Sequence, residues 1–237
     1  MNSLKGTRVT WLGHATVLVQ TPKGTSILID PFIQNNPKYP RGFELPEKIN
    51  YILLTHGHGD HISDAVPVAK KYNSNVAAIY ELAAFIGSQG VDKITGFNIG
   101  GTVQLDDVAV TMVEAKHSAG AEGSGSGGSQ YAGVAVGFVL TIANGPVLYH
   151  SGDTTVFTDM KLIKELYHPE LVMLPIGGFY TMGPREAAFA AQFLEPKAIL
   201  PIHFGTFPPL TGTPDQLDEH LKGSIEVIRI APGESVQ

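Results

Sequence analysis

The sequence predicts an α/β protein in which two similar β-rich layers pack face to face with helices outside. Three observations point there. The apolar run Tyr51-Ile52-Leu53-Leu54 ends in Thr55-His56-Gly57-His58-Gly59-Asp60-His61, a buried strand feeding a loop of Lewis bases. The chain passes twice through hairpin-forming strands and then alternates helix with strand. Further His and Asp residues stand at the ends of later strands, where open α/β sheets bind their ligands.

Apolar runs separated by turn residues, among them Thr21-Pro22-Lys23-Gly24, predict opening strands at 9–12, 16–19 and 26–29. Residues 31–48 carry Pro31, Asn35-Asn36-Pro37, Pro40 and Pro46 and read as a long loop placed over the site. A strand at 50–55, a helix at 63–72, a strand at 75–79 and a helix at 80–88 stopped by Gly90 come next. Strands at 94–97, 102–105 and 108–116 close the first half.

The order then repeats. A strand at 131–142 turns at Asn144-Gly145, a strong hairpin dipeptide, into 147–150. A helix at 157–167, a strand at 170–174 and a helix at 184–194 opened by Pro184 follow. A strand at 198–202, a helix at 214–222 and a strand at 225–230 end the pattern. Residues 119–129 are rich in Gly and Ser and resemble a linker. Site residues fall on both sides of them, so they read as an active-site loop within a single domain, 1–237.

Composition narrows the function. With 43% hydrophobic and 16% charged residues the chain folds around a core. Its net charge of −6, with no cluster of Lys or Arg, argues against a nucleic-acid partner, which needs a basic face. Cysteine is absent, so any metal must be held by nitrogen and oxygen. No apolar run approaches the roughly 20 residues of a membrane span, and residues 1–20 lack a basic region followed by an apolar one. The expectation is a cytoplasmic protein with no membrane partner. No heptad or polar seam prescribes an oligomer.

The chemistry sits in His56, His58, Asp60 and His61. A single His at a strand end is usually structural, but three with an Asp in six positions make a metal site, and the helical HExxH arrangement is absent. His117, Asp153 and His203 each follow a predicted strand and can converge on the same edge.

These motifs, HxHxDH at 56–61, Ala115-Lys116-His117-Ser118, Ser151-Gly152-Asp153-Thr154 and Pro201-Ile202-His203-Phe204, resemble the metallo-β-lactamase superfamily over the whole chain and in its order. Trp11-Leu12-Gly13-His14-Ala15-Thr16 and Thr181-Met182-Gly183-Pro184 are similar to a small UPF-type family of metal-dependent hydrolases within it, kin to bacterial lactonases and phosphodiesterase-like members. The resemblance implies an αβ/βα four-layer sandwich with its site at the top of both sheets. It implies that His56, His58 and His117 hold one metal, that Asp60, His61 and His203 hold a second, and that Asp153 bridges them.

The implied activity is hydrolysis of an ester, lactone or phosphodiester bond of a small-molecule substrate by a hydroxide shared between two divalent ions. Zinc is the first expectation, with manganese, nickel or iron as options. Asp60 is expected to orient the water and take its proton. His14 is read as a substrate contact or proton donor, against an ordinary turn residue. Tyr180 is read as a phenol offered to a developing oxyanion, against a half-buried aromatic. Asp30 and His150 are candidates to orient ligands. Phe179, Phe204 and Phe207 are candidates to line an apolar pocket, while His168 and His220 read as solvent-facing. The alternatives are a non-catalytic metal-containing sensor or binding protein, or an iron-dependent redox member of the fold. Lack of cysteine departs from those β-lactamases that use a thiolate ligand, so antibiotic hydrolysis is not expected.

Overall fold

The computed structural model describes residues 4–122 and 128–237. Strands β1 (Arg8–Trp11), β2 (Val17–Gln20), β3 (Ser26–Ile29), β4 (Tyr51–Leu54), β5 (Asn75–Ile79) and β6 (Ile94–Phe97) lie side by side in that order. The first three pair antiparallel and β3 to β6 pair parallel. Helices α1 (Gly59–Ile62) and α2 (Ala65–Tyr72) connect β4 to β5 and α3 (Tyr80–Ser88) connects β5 to β6, while the long loop after β3 makes the crossover to β4.

The second sheet repeats this plan. Strands β7 (Thr102–Leu105) and β8 (Val108–Glu114) form a hairpin, and a small ribbon joins β9 (Ala121–Glu122) to β10 (Ser129–Gln130). Strands β11 (Val136–Ile142) and β12 (Val147–His150) extend the antiparallel part. Parallel strands β13 (Leu171–Pro175), β14 (Ala198–Ile202) and β15 (Glu226–Val227) follow, linked through α4 (Met160–Tyr167), α5 (Pro184–Leu194) and α6 (Pro214–Leu221). A terminal strand, β16 (Ser235–Val236), returns to pair with β1, so each sheet has seven strands.

Alternation in the second sheet sorts its side chains into two layers. Phe138, Leu140, Leu148, Leu171, Met173, Ala198 and Leu200 join a buried cluster with residues of the first sheet, including Leu18, Ile27, Ile52 and Val76. Their neighbours Val139, Tyr149, Val172, Leu174 and Ile199 face the other way, onto Met160, Ile163, Ala187, Ala191 and Leu217 of the helices. Strands buried on both faces read as continuous apolar runs, and this is what helix, sheet, sheet, helix layering demands. The αβ/βα architecture therefore stands.

Several boundaries differ from expectation. Strand β11 begins at Val136, five residues later than predicted, because Gly133 takes φ +82° and a Cβ there would meet Ile79 Cγ2 at 2.8 Å. The β11–β12 turn is longer than the two-residue hairpin that Asn144-Gly145 suggested. Only Asn144 is left-handed (φ 60°), and Ile142 N–H donates to Pro146 O at 3.3 Å around the loop. The strand expected at 225–230 pairs only over β15, and the helix expected at 63–72 starts at Ala65 after the separate turn α1. Helix α6 begins as its sequence predicts, with Thr213 and Gln216 forming a reciprocal capping box ahead of Pro214.

Candidate metal centre

The loops that leave β1, β3, β4, β8, β12, β13 and β14 meet at one end of both sheets. His56 Nε2 lies 3.0 Å from His58 Nδ1, and the donor atoms of His56, His58 and His117 lie within 4.8 Å of one another. A second group, His14, Asp60, His61 and His203, is equally compact. Asp153 stands between the groups. Its Oδ2 is 3.3 Å from His61 Nε2, 3.1 Å from His203 Nε2, 3.6 Å from His117 Nε2 and 4.0 Å from His56 Nε2.

Buried polar atoms normally have partners, yet His61 Nε2, His203 Nε2 and Nδ1, and Asp153 Oδ1 have no hydrogen bond. Imidazole and carboxylate atoms left open inside one shell fit divalent cations. The surrounding bonds also leave the right lone pairs. Asp30, fully buried, accepts from Thr55 N–H at 2.8 Å, Thr55 Oγ1–H at 2.6 Å and His61 Nδ1–H at 2.8 Å. With its proton spent on Asp30, Thr55 Oγ1 accepts from His56 Nδ1–H at 3.0 Å. The Nε2 atoms of His56 and His61 therefore both point inward.

Electrostatics follow from this crowding. Burial alone lowers the His61 pKa, but the Asp153 and Asp30 carboxylates outweigh it and hold the value well above the ordinary one. Burial likewise opposes protonation of His203, and Asp153 overcomes it, raising the pKa to about 9. His56 and His117 are lowered, first by burial. Asp153 and Asp60 resist the upward push of burial and stay well below the carboxylate range. His203 and His61 do this for Asp153, and the hydrogen bond to His14 with the nearby His203 imidazole does it for Asp60.

Backbone strain is present here too. His14, Asp30 and His203 all take left-handed φ, at 54°, 47° and 53°, each costing about 1–3 kcal/mol and tolerated only where surroundings over-determine it. The His14 carbonyl accepts from Trp11 Nε1–H and from His203 N–H, both at 2.9 Å. Gly57 meets a need for close approach. A Cβ there would sit 2.9 Å from Ala121 Cα, so glycine lets the segment after His117 lie against the ligand loop.

A cavity of about 740 Å³ opens above these residues, lined by His58, Asp60, His117, Asp153 and His203 together with Phe32, Asn35, Ser118, Tyr180 and Phe207. The loop at 31–48 thus contributes Phe32 and Asn35 to the wall. A model of the beta-lactamase superfamily domain matches residues 8–203. The chain belongs to that superfamily. Within it the chain is 50% identical to a UPF0173 metal-dependent hydrolase of Koribacter versatilis, over 98% of both chains, and 47% identical to another of Solibacter usitatus, over 97% of this chain and 99% of that one. It is therefore a member of that family of metal-dependent hydrolases. Among solved structures, Igni18, a metallo hydrolase from the hyperthermophilic archaeon Ignicoccus hospitalis, superposes with a TM-score of 0.85 at 30% identity over 97% of each chain. An isothiocyanate hydrolase from Delia radicum gut bacteria shares the fold, with a TM-score of 0.73 at 22% identity over 97% of this chain and 98% of that one.

The remaining sequence candidates separate in space. His14 is fully buried and makes two ring hydrogen bonds, Nε2 to Asp60 Oδ2 at 3.0 Å and Nδ1 to Thr206 Oγ1 at 2.9 Å, so it meets Asp60 rather than the cavity. Tyr180 lines the cavity mouth, 56% exposed, its ring edge-on to Phe179 at 4.7 Å. Phe207 is in the wall, whereas Phe204 stacks on Trp11 at 5.2 Å and packs into the core. His150 is buried away from the cavity. Its Nε2–H donates to Ala15 O at 3.0 Å and its Nδ1 accepts from Gly152 N–H at 3.1 Å, which ties the Asp153 loop to the first sheet. Thr55 and Thr206 were not singled out from the sequence. Of the expected loop 119–129, residues 123–127 lie outside the described residues. Among the described residues no helix is long and apolar enough to cross a membrane.

Proposed function

We propose that the chain hydrolyses an ester, lactone or phosphodiester bond of a small molecule at a centre of two divalent ions, zinc foremost. His56, His58 and His117 would hold one ion, Asp60, His61 and His203 the other, and Asp153 would serve both. The observation that carries this reading is the single oxygen, Asp153 Oδ2, facing imidazole nitrogens of both groups at 3.1–4.0 Å. Ions bound there would bring the pKa of a shared water to roughly 7 and polarise the scissile bond.

The chain's own residues do the rest. Asp60 faces the cavity with Oδ2 held by His14, which leaves Oδ1 to meet an ion or to receive the proton of an attacking water. Phe32 and Phe207 exclude bulk water from one side, and Asn35 and Ser118 offer polar contacts. The phenol of Tyr180 is a wall group able to donate to an oxyanion. One buried cluster shared by both sheets supports a single domain.

Metal content and turnover of the purified protein test this reading, on a bis-aryl phosphate and a panel of lactones, beside His56→Ala and Asp60→Asn. Two metal equivalents and turnover lost in both variants are expected. Bound metal with no turnover on any substrate would favour a sensor or binding protein.

A further inference from the structure

We propose that Thr206 and His14 form a positioning pair that fixes the tautomer of His14 and, through it, the orientation of the Asp60 carboxylate. The inference rests on the reading of Asp60 as a ligand of the second ion. The chain of contacts is short. Thr206 Oγ1 lies 2.9 Å from His14 Nδ1, His14 Nε2 lies 3.0 Å from Asp60 Oδ2, and both Thr206 and His14 are buried.

Proton bookkeeping sets its direction. An ionised carboxylate only accepts, so the bond to Asp60 requires a proton on Nε2. A neutral imidazole then has a bare lone pair at Nδ1, and the hydroxyl of Thr206 is the donor placed against it. The competing acceptor for that hydroxyl, Phe204 O, is 3.5 Å away, too long to draw the proton off. His14 has little freedom to choose otherwise. Its ring lies 3.9 Å from that of His203 and edge-on to Phe32 and Phe207, at 5.7 and 5.5 Å. Thr206 thus discriminates between tautomers, one that grips Asp60 and one that turns a lone pair toward it. Residues that orient metal-binding groups in this way typically govern affinity by 10–100-fold.

The test uses Thr206→Val, which keeps the shape and removes the hydroxyl, and Thr206→Ser, which restores it. Imidazole ¹⁵N shifts of His14 in the metal-free protein should report a bare Nδ1 and a protonated Nε2 in wild type and Thr206→Ser, and a weakened preference in Thr206→Val, where Asp60 alone holds the proton. Zinc titration should show the second equivalent bound about 10–100-fold more weakly in Thr206→Val and restored in Thr206→Ser. A proton on Nδ1 in wild type overturns the proposal whether or not metal binds. Unchanged affinity for the second zinc in Thr206→Val overturns it while leaving the two-ion centre standing. A wild-type protein that takes up fewer than two zinc ions refutes the centre, and the ¹⁵N shifts then decide the pair alone.

Discussion

Asp30 Oδ2 accepts a hydrogen bond from His61 Nδ1 at 2.8 Å, and the same oxygen accepts from the Thr55 hydroxyl that receives His56 Nδ1–H. One buried carboxylate therefore orients an imidazole from each of the two donor groups. Asp30→Asn should weaken both metal equivalents, by about 10–100-fold each. It should also cost about 3 kcal/mol of stability by unsettling a buried network. Chelator competition and thermal melts check it; loss confined to one equivalent would contradict the shared role.

Metal uptake should release protons. Asp153 and its neighbours raise His61 and lift His203 to about 9, so at neutral pH an incoming ion displaces protons from both. Below about pH 9 apparent affinity should climb with pH and fall as pH drops, by up to tenfold per unit for each proton displaced. Calorimetry in buffers of different ionisation enthalpy counts those protons. A count of zero would mean that the histidines are already neutral.

Gly57→Ala places a methyl 2.9 Å from Ala121 Cα and N. The expected result is a loss of about 1–3 kcal/mol in stability, together with weaker metal binding as the loop carrying His56 and His58 is pushed off the segment after His117. Denaturant unfolding and zinc titration of the variant measure both.

Tyr180→Phe separates the phenol from the ring. If the hydroxyl donates to an oxyanion, kcat should fall by about 100-fold with KM nearly unchanged. An unchanged kcat would leave the Tyr180 ring, packed edge-on against Phe179, as wall alone.

Much of this molecule is written in local pattern. Strands β3, β5, β6, β7, β12 and β14 and helices α3 and α5 fall where apolar runs and their flanking Gly, Pro and Asn residues put them. The seven donors proposed as ligands were found because each follows a strand that ends at the same edge, and the structure brings them within reach of one another. What stayed hidden depends on distant partners. Thr206 meets His14 across 192 positions, and nothing near either residue announces the pairing. His14 stood out by its motif, but only tertiary geometry shows that its ring faces Asp60. Strand β16 was missed because Ser235–Val236 is too short and polar to carry a period, and it exists only through its bonds to β1.

Each proposed donor triad draws two side chains from the segment after β4 and one from a loop of the opposite sheet: His56 and His58 with His117, Asp60 and His61 with His203. In that proposed arrangement neither half of the chain would own a complete coordination shell. Loading the centre would rivet the halves across their seam, so the cofactor would act as a fastener as well as a reagent, and stripping it should loosen the molecule along the line where the two sheets face each other.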